Sequence, residues 1–304
     1  MLLLFVFVLS ALSCSPENER ARSIQKDVVE LARKIGPRSP VNPDNLERAA
    51  AYISSRMGND LKFREQVYYI NKKPYRNLVF EKVGKDPSLP LIIMGAHYDS
   101  VPFTPGADDN ASAVSVLLSL AGSFAQHNNH TIRFVFFTLE EEPYYLSENM
   151  GSMKYARYLK DRHEKVKLMI CLEMVGYYSD ERIQEYPIEE MKSVYPAEGN
   201  YVAVVGRPEH RLIVTNFYKD LKKINSFPVA FIIAPPSVRG IDFSDHVSFW
   251  DMGYPALMVT DTSFYRNRNY HKKTDLPETL NFGKMSILAG SLAKVLEDLD
   301  RDLF

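Results

Sequence analysis

The 304-residue chain contains two cysteines, Cys14 and Cys171. Two cannot build a disulfide framework or a cysteine-type zinc site, so any metal must be held by His, Asp and Glu. There is no excess of charge of either sign: 37 Lys and Arg stand against 38 Asp and Glu. That excludes the electrostatic footprint of a nucleic-acid binder and a broad basic face for anionic membrane. No internal repeat and no Pro/Gly/Ser-rich linker interrupts the chain. What is present is ordinary globular composition, 45% hydrophobic and 25% charged, which excludes a disordered chain or a coiled coil.

An almost continuous apolar run opens the chain, Met1 to Ser13 (MLLLFVFVLSALS). It is too short to span a bilayer, which takes about 20 residues. Its length matches the apolar core of a secretory signal. Cys14 follows it, and the junction resembles a bacterial lipoprotein signal, in which that cysteine carries lipid; cleavage nearby without lipid is the alternative. The expectation is a signal over 1–13, export to the periplasm or outer surface, and a lipid anchor at Cys14. Cys171, in KLMICLEMVG, reads as a small buried hydrophobe.

Residues 17–304 read as one domain. Helical spacing marks 17–36 and 45–58, and alternation marks a hairpin, 61–70 with 76–83, turning around NKKP. The rhythm then changes to near-continuous apolar runs at 89–97, 131–139, 166–174, 201–206 and 254–260. Strands of that kind are buried on both faces, as in a mainly parallel sheet. Helical stretches at about 110–126, 150–162, 209–223 and 283–299 fall between and after them. The pattern predicts an α/β fold, a central mixed but mainly parallel sheet with helices on both faces. The polar, Tyr- and Pro-bearing stretch 178–200 is expected to be an excursion over one face.

Ligands of open α/β sheets bind beyond the carboxyl ends of the strands. Those ends carry His97-Tyr98-Asp99, the loop PGADDNAS with Asp108 and Asp109, then Glu140-Glu141-Glu142, Glu173, Asp261 and Tyr270-His271, with Ser244-Asp245-His246 just before the last strand. Singly, each has an ordinary explanation: a core histidine, a helix cap, a solvated acidic run. Together they are acids crowded at one edge, which repel one another unless cations are present. Two histidines with carboxylates suit Zn²⁺.

HYDS, PGADDNAS, the Glu-Glu after a strand, and a final Tyr-His followed by Thr-Asp resemble the co-catalytic two-zinc aminopeptidases (leucyl-aminopeptidase-like). Relatives of that family include glutamate carboxypeptidases and glutaminyl cyclases. EEEPYYLSENMGS is similar to a bacterial, lipoprotein-like subgroup, and anchoring on Met150-Gly151-Ser152 makes Glu140 and Glu141 the working pair. The resemblance implies a zinc-exopeptidase fold and two zinc ions per chain acting on peptide substrates. It places His97 on one ion and His271 on the other, with Asp109 bridging and Glu173 in a position where Asp is usual. Glu141 completes the set of one histidine or the other. Glu140 is implied as general base, and Asp99 as acceptor of the second N–H of His97. Asp245 and His246 are assigned to a supporting network or oxyanion contact, and Arg239, Tyr265, Arg266 and Arg268 to substrate contacts. Competing readings are a single-zinc glutaminyl-cyclase-like acyl transferase, a carboxypeptidase and a non-catalytic receptor-like domain.

Overall fold

A computed structural model describes residues 15–57, 61–123 and 128–301. The expected signal over 1–13 and Cys14 lie outside the described residues. One eight-stranded sheet organises the rest. Its strands are β1 (Lys62–Ile70), β2 (Lys73–Lys82), β3 (Leu91–His97), β4 (Ile132–Phe137), β5 (Val166–Glu173), β6 (Val202–Gly206), β7 (Val229–Ile233) and β8 (Ala256–Thr260), in the order β1-β2-β4-β3-β5-β8-β6-β7. Strands β4, β3, β5 and β8 are mutually parallel, β2 is antiparallel to β4, and β6 is antiparallel to β8. The fold is therefore α/β with a mixed, mainly parallel sheet.

The helices are α1 (Pro16–Val28), α2 (Pro43–Arg56), α3 (Ala113–Ser123), α4 (Gly151–Asp161), α5 (Arg211–Ile224), α6 (His246–Asp251) and α7 (Phe282–Asp300). α1 starts where Ser15 caps it, its Oγ accepting from Asn18 N, with Pro16 at the first turn. Wider turns carry it on through Ile35 until Gly36, at φ +84°, breaks it. The apolar runs now divide by parity. In β3, Ile92, Met94 and Ala96 enter a core shared with α1, α2, α3, α5 and α7, whereas Leu91 and Ile93 face a second core with α4 and α6. Both faces are thus covered, which is why these strands read as unbroken hydrophobic runs.

Two elements escaped the sequence reading. β7 is five residues, VAFII, closely bounded by Pro228 and Pro235. α6 is six residues beginning at His246, in a stretch to which no element was assigned. The hairpin expected around NKKP is there, with Asn71 and Lys72 both at positive φ (49° and 66°), the two-residue turn that matches strand twist.

Topology explains the excursion. β5 ends at the sheet edge that carries His97, and β6, being antiparallel to β8, begins at that same edge: Ala203 lies opposite Thr260. The connection 174–201 need not cross the sheet. Its Gln184, Tyr186, Met191 and Tyr195 wall a pocket over the face of β6 and β7 that carries Ala203, Val205, Ala230 and Ile232, and the Tyr195 hydroxyl donates to Phe231 O at 2.9 Å.

Candidate active site

The candidate ligands come from strand ends and from the loops beyond them. His97 is the last residue of β3 and Glu173 the last of β5, both buried. Glu140 and Glu141 follow β4 through Leu139, which turns the chain at φ +60°. Asp109 sits in the turn before α3, where its own φ and ψ (−103°, 89°) break the helical path and aim the carboxylate back at the sheet edge. His271, at φ 56°, comes from the loop after β8.

The ligand atoms form two groups sharing one residue: His97, Asp109 and Glu173, and Asp109, Glu141 and His271. His97 Nε2 lies 3.4 Å from Asp109 Oδ1 and 3.2 Å from Glu173 Oε2. His271 Nε2 lies 3.2 Å from Asp109 Oδ2 and 3.4 Å from Glu141 Oε2. A tetrahedral zinc with arms of about 2.0–2.1 Å separates its ligands by roughly 3.3 Å, so these spacings fit a metal. The electrostatics fit too. Burial pushes the Glu140 carboxyl well up, with Glu141 and Glu173 adding to it against the pull of His97. Burial, then Asp109, raises Glu141 to about 8. Burial opposes protonation of His97, yet Glu173 and Glu140 drive it well above its usual range. His271 reaches about 10, because hydrogen bonds to Asp109 and Glu141 outweigh burial. Asp109 moves the other way: burial works to raise it, and His271 and His97 hold it below the usual range. The cluster thus draws protons to itself, the behaviour of an acid-rich site suited to cations. Neither ring nitrogen of buried His97 has a hydrogen-bond partner, which leaves Nε2 free to ligate.

Around these groups lies a web of positioning bonds. Asp99 Oδ1 is 3.5 Å from His97 Nδ1, too long for a well-formed hydrogen bond. Its oxygens instead accept the backbone N–H of Glu140 and of Glu141, each at 3.2 Å, and so hold the Glu-Glu turn. Ser244 Oγ donates to Glu173 Oε2 at 2.7 Å, fixing the longer side chain at the position where Asp was expected. Asp275 accepts from Asp108 N at 2.8 Å and Asp109 N at 3.1 Å. The Thr-Asp after Tyr-His had flagged this residue without showing its task.

The remaining candidates separate. Arg239 and Tyr265 line the pocket; the Tyr265 hydroxyl donates to Arg239 O, and the Arg239 guanidinium lies over Phe264. Asp245 is buried, and burial raises its carboxyl to about 7 with His97 pulling the other way. His246 belongs to neither ligand group. Its Nε2 is 2.7 Å from Ile241 O, its ring meets Trp250 edge-on, and burial lowers it to about 4, so it serves the packing of α6 rather than an oxyanion. Arg266 is not a substrate contact: it is buried, donates to Gly199 O, Tyr201 O and Gln184 Oε1, and does not line the pocket. Arg268 is exposed and does not line the pocket.

The ligand groups open on a cavity of about 300 Å³. Beyond the acids it is walled by Ala203 and Val205 of β6, Ala230 and Ile232 of β7, and aromatic rings including Tyr186, Tyr195, Phe231 and Phe243.

This chain belongs to peptidase family M28, whose model matches residues 77–295. It is 38% identical to YfbL, an uncharacterised protein of Escherichia coli K12, over 97% of this chain and 96% of that one. It is 25% identical to leucine aminopeptidase 2 of Trichophyton rubrum over 75% of this chain, and the match spans 45% of that longer protein. The fold is that of BSAP, a zinc aminopeptidase from Bacillus subtilis, with a TM-score of 0.71 at 17% identity, covering 92% of this chain and 95% of BSAP.

Proposed function

We propose that the chain is an aminopeptidase holding two zinc ions, His97 and Glu173 on one, His271 and Glu141 on the other, and Asp109 on both. The observation that carries this reading is the pair of ligand groups sharing Asp109, with Glu140 beside them and in neither. Bound there, zinc would supply Lewis-acid polarisation of the scissile carbonyl and lower the pKa of water toward about 7. Glu140 Oε2 stands 3.9 Å from His97 Nε2, close enough to meet the attacking water. Its carboxylate takes the water proton as the C–O bond forms, then delivers it to the amine nitrogen as the C–N bond breaks.

Six carboxylates line the pocket (Asp109, Glu140, Glu141, Glu142, Glu173 and Glu185) against one arginine, Arg239. With Asp109, Glu141 and Glu173 offsetting the zinc charge, Glu142 and Glu185 remain against Arg239, a surplus that favours a substrate's free ammonium terminus over a carboxylate terminus. The apolar walls take the adjoining side chain. The chain is further proposed to act outside the cytoplasm, on peptides, after export on its first 13 residues, with Cys14 as lipid anchor.

Zinc content after dialysis, combined with assays on aminoacyl amides and N-blocked controls, tests the reading. Two zinc ions and cleavage of free-amine substrates alone are expected. One ion with cyclisation of N-terminal glutamine would establish the acyl-transferase reading instead, and no zinc with no turnover the receptor-like one.

A further inference from the structure

Arg38 is completely buried, in the GPRSP segment just beyond the break at Gly36. Its guanidinium donates to five carbonyl oxygens: Nε to Tyr98 O at 2.8 Å, Nη1 to Leu31 O, Gly36 O and Pro105 O at 3.1, 3.2 and 2.8 Å, and Nη2 to Gly106 O at 2.9 Å. Its own backbone pairs with Ser100, N to Oγ at 3.1 Å and O from Ser100 N at 2.9 Å. Every acceptor is neutral. A buried cation without a paired anion is costly and needs a reason. The acids that act on it are Asp275, Asp99, Asp109 and Glu141; burial lowers its pKa to about 10 against their pull, so it is charged at neutral pH.

The acceptors show what it does. Tyr98 lies between His97 and Asp99. Pro105 and Gly106 open the turn that carries Asp109, and Gly106 O also accepts Ala111 N at 3.2 Å, closing that turn. One planar fork therefore spans both loops that feed the ligand groups. The packing leaves no slack: a Cβ on Gly106 (φ +62°) would stand 2.4 Å from Asp109 O, 2.7 Å from Ser100 Cβ and 2.8 Å from Arg38 Nη2. Lysine could carry the charge there but has no planar fork of five donors.

We propose that Arg38 is a positioning residue for the metal centre, clamping the Tyr98 and Pro105–Gly106 carbonyls so that His97 and Asp109 are held at ligating distance. This rests on the zinc-binding reading above. Residues that orient metal ligands typically govern about 10–100-fold in metal affinity.

The test is zinc titration of dialysed protein against a chromophoric chelator, with melting temperature measured on the same preparations, for wild type, Arg38→Met, Arg38→Lys and Asp300→Ala. Asp300 accepts Asn129 N at 2.9 Å and His130 N at 2.8 Å before β4 begins, at the opposite edge of the sheet, and so controls for lost stability alone. Both Arg38 variants should bind at least one zinc about 10–100-fold more weakly, while Asp300→Ala melts lower and keeps wild-type affinity. Should Arg38→Met fail to fold, Arg38→Lys decides. Wild-type affinity in a folded Arg38→Lys overturns the proposal, as does an equal loss of affinity in Asp300→Ala. A wild-type protein without zinc affinity overturns this proposal and the aminopeptidase reading together, whereas two tightly held ions in both wild type and Arg38→Lys overturn this one alone.

Discussion

At the residue scale, the difference between Glu140 and Glu141 is one of direction. Glu141 Oε1 accepts Val101 N at 3.0 Å while Oε2 faces His271; Glu140 stays outside both ligand groups. Glu140→Gln is therefore expected to lower kcat by about 10²–10⁴-fold with zinc content unchanged; zinc lost in proportion to activity would make Glu140 a ligand. The two C-terminal histidines divide as sharply. His271→Ala should release zinc on dialysis, and His246→Ala should keep both ions while melting lower, because it removes the edge-on packing on Trp250. Loss of zinc from His246→Ala alone would reverse this assignment. The residues at these strand ends could be picked out in the sequence because His and acid at the close of an apolar run are conspicuous. Arg38 could not: an arginine in GPRSP reads as a loop cation, and its burial depends on carbonyls as far along the chain as Gly106. Asp99 was found, and it does face His97 at 3.5 Å, but its acceptance of the backbone N–H donors of Glu140 and Glu141 leaves no trace in sequence.

At the element scale, Arg266 adds to the bonds that the segment 178–200 makes within itself, such as Gln184 N to Ala197 O and the Tyr186 hydroxyl to Pro196 O. The guanidinium joins Gln184, Gly199 and Tyr201 and stacks on the Tyr201 ring at 4.5 Å. Hydrogen bonds from charged donors contribute about 1.5–3 kcal/mol each where buried. Arg266→Met is expected to lower the melting temperature, expose 180–200 to limited proteolysis and raise KM more than it lowers kcat, because Gln184, Tyr186, Met191 and Tyr195 shape the pocket without joining the ligand groups. A wild-type KM in that variant would separate the segment from substrate binding. The long buried strands were legible because both faces are covered. β7 and α6 were not: β7 is an edge strand that is only half-buried beyond Val229, unlike the equally short β6 and β8, and α6 is a six-residue helix, too short for periodicity to distinguish.

At the scale of the whole molecule, the acid cluster couples stability to pH and to metal. Glu141 titrates at about 8 in the folded chain against an ordinary 4.5, raised by burial and then Asp109. His271 titrates at about 10 against 6.5, its bonds to Asp109 and Glu141 prevailing over burial. Both folded values are raised, so across that window the folded state holds more protons than the unfolded one, and stability falls as pH rises. The metal-free protein should melt at a lower temperature near pH 9 than near pH 6. Saturating zinc should remove most of that slope and add about 2.7 kcal/mol per ion at a hundredfold excess over Kd. A metal-free melting temperature that rises with pH would show that the cluster does not govern stability. One topological feature also bears on how such a molecule diversifies. Because β5 ends and β6 begins at the same edge, the segment between them hangs from two fixed points like an interchangeable cover. Doubling its length adds only about 0.6 kcal/mol of closure entropy, so descendants of this chain can exchange that cover, and with it one wall of the pocket, while the ladder and the ligand groups beneath are inherited unchanged.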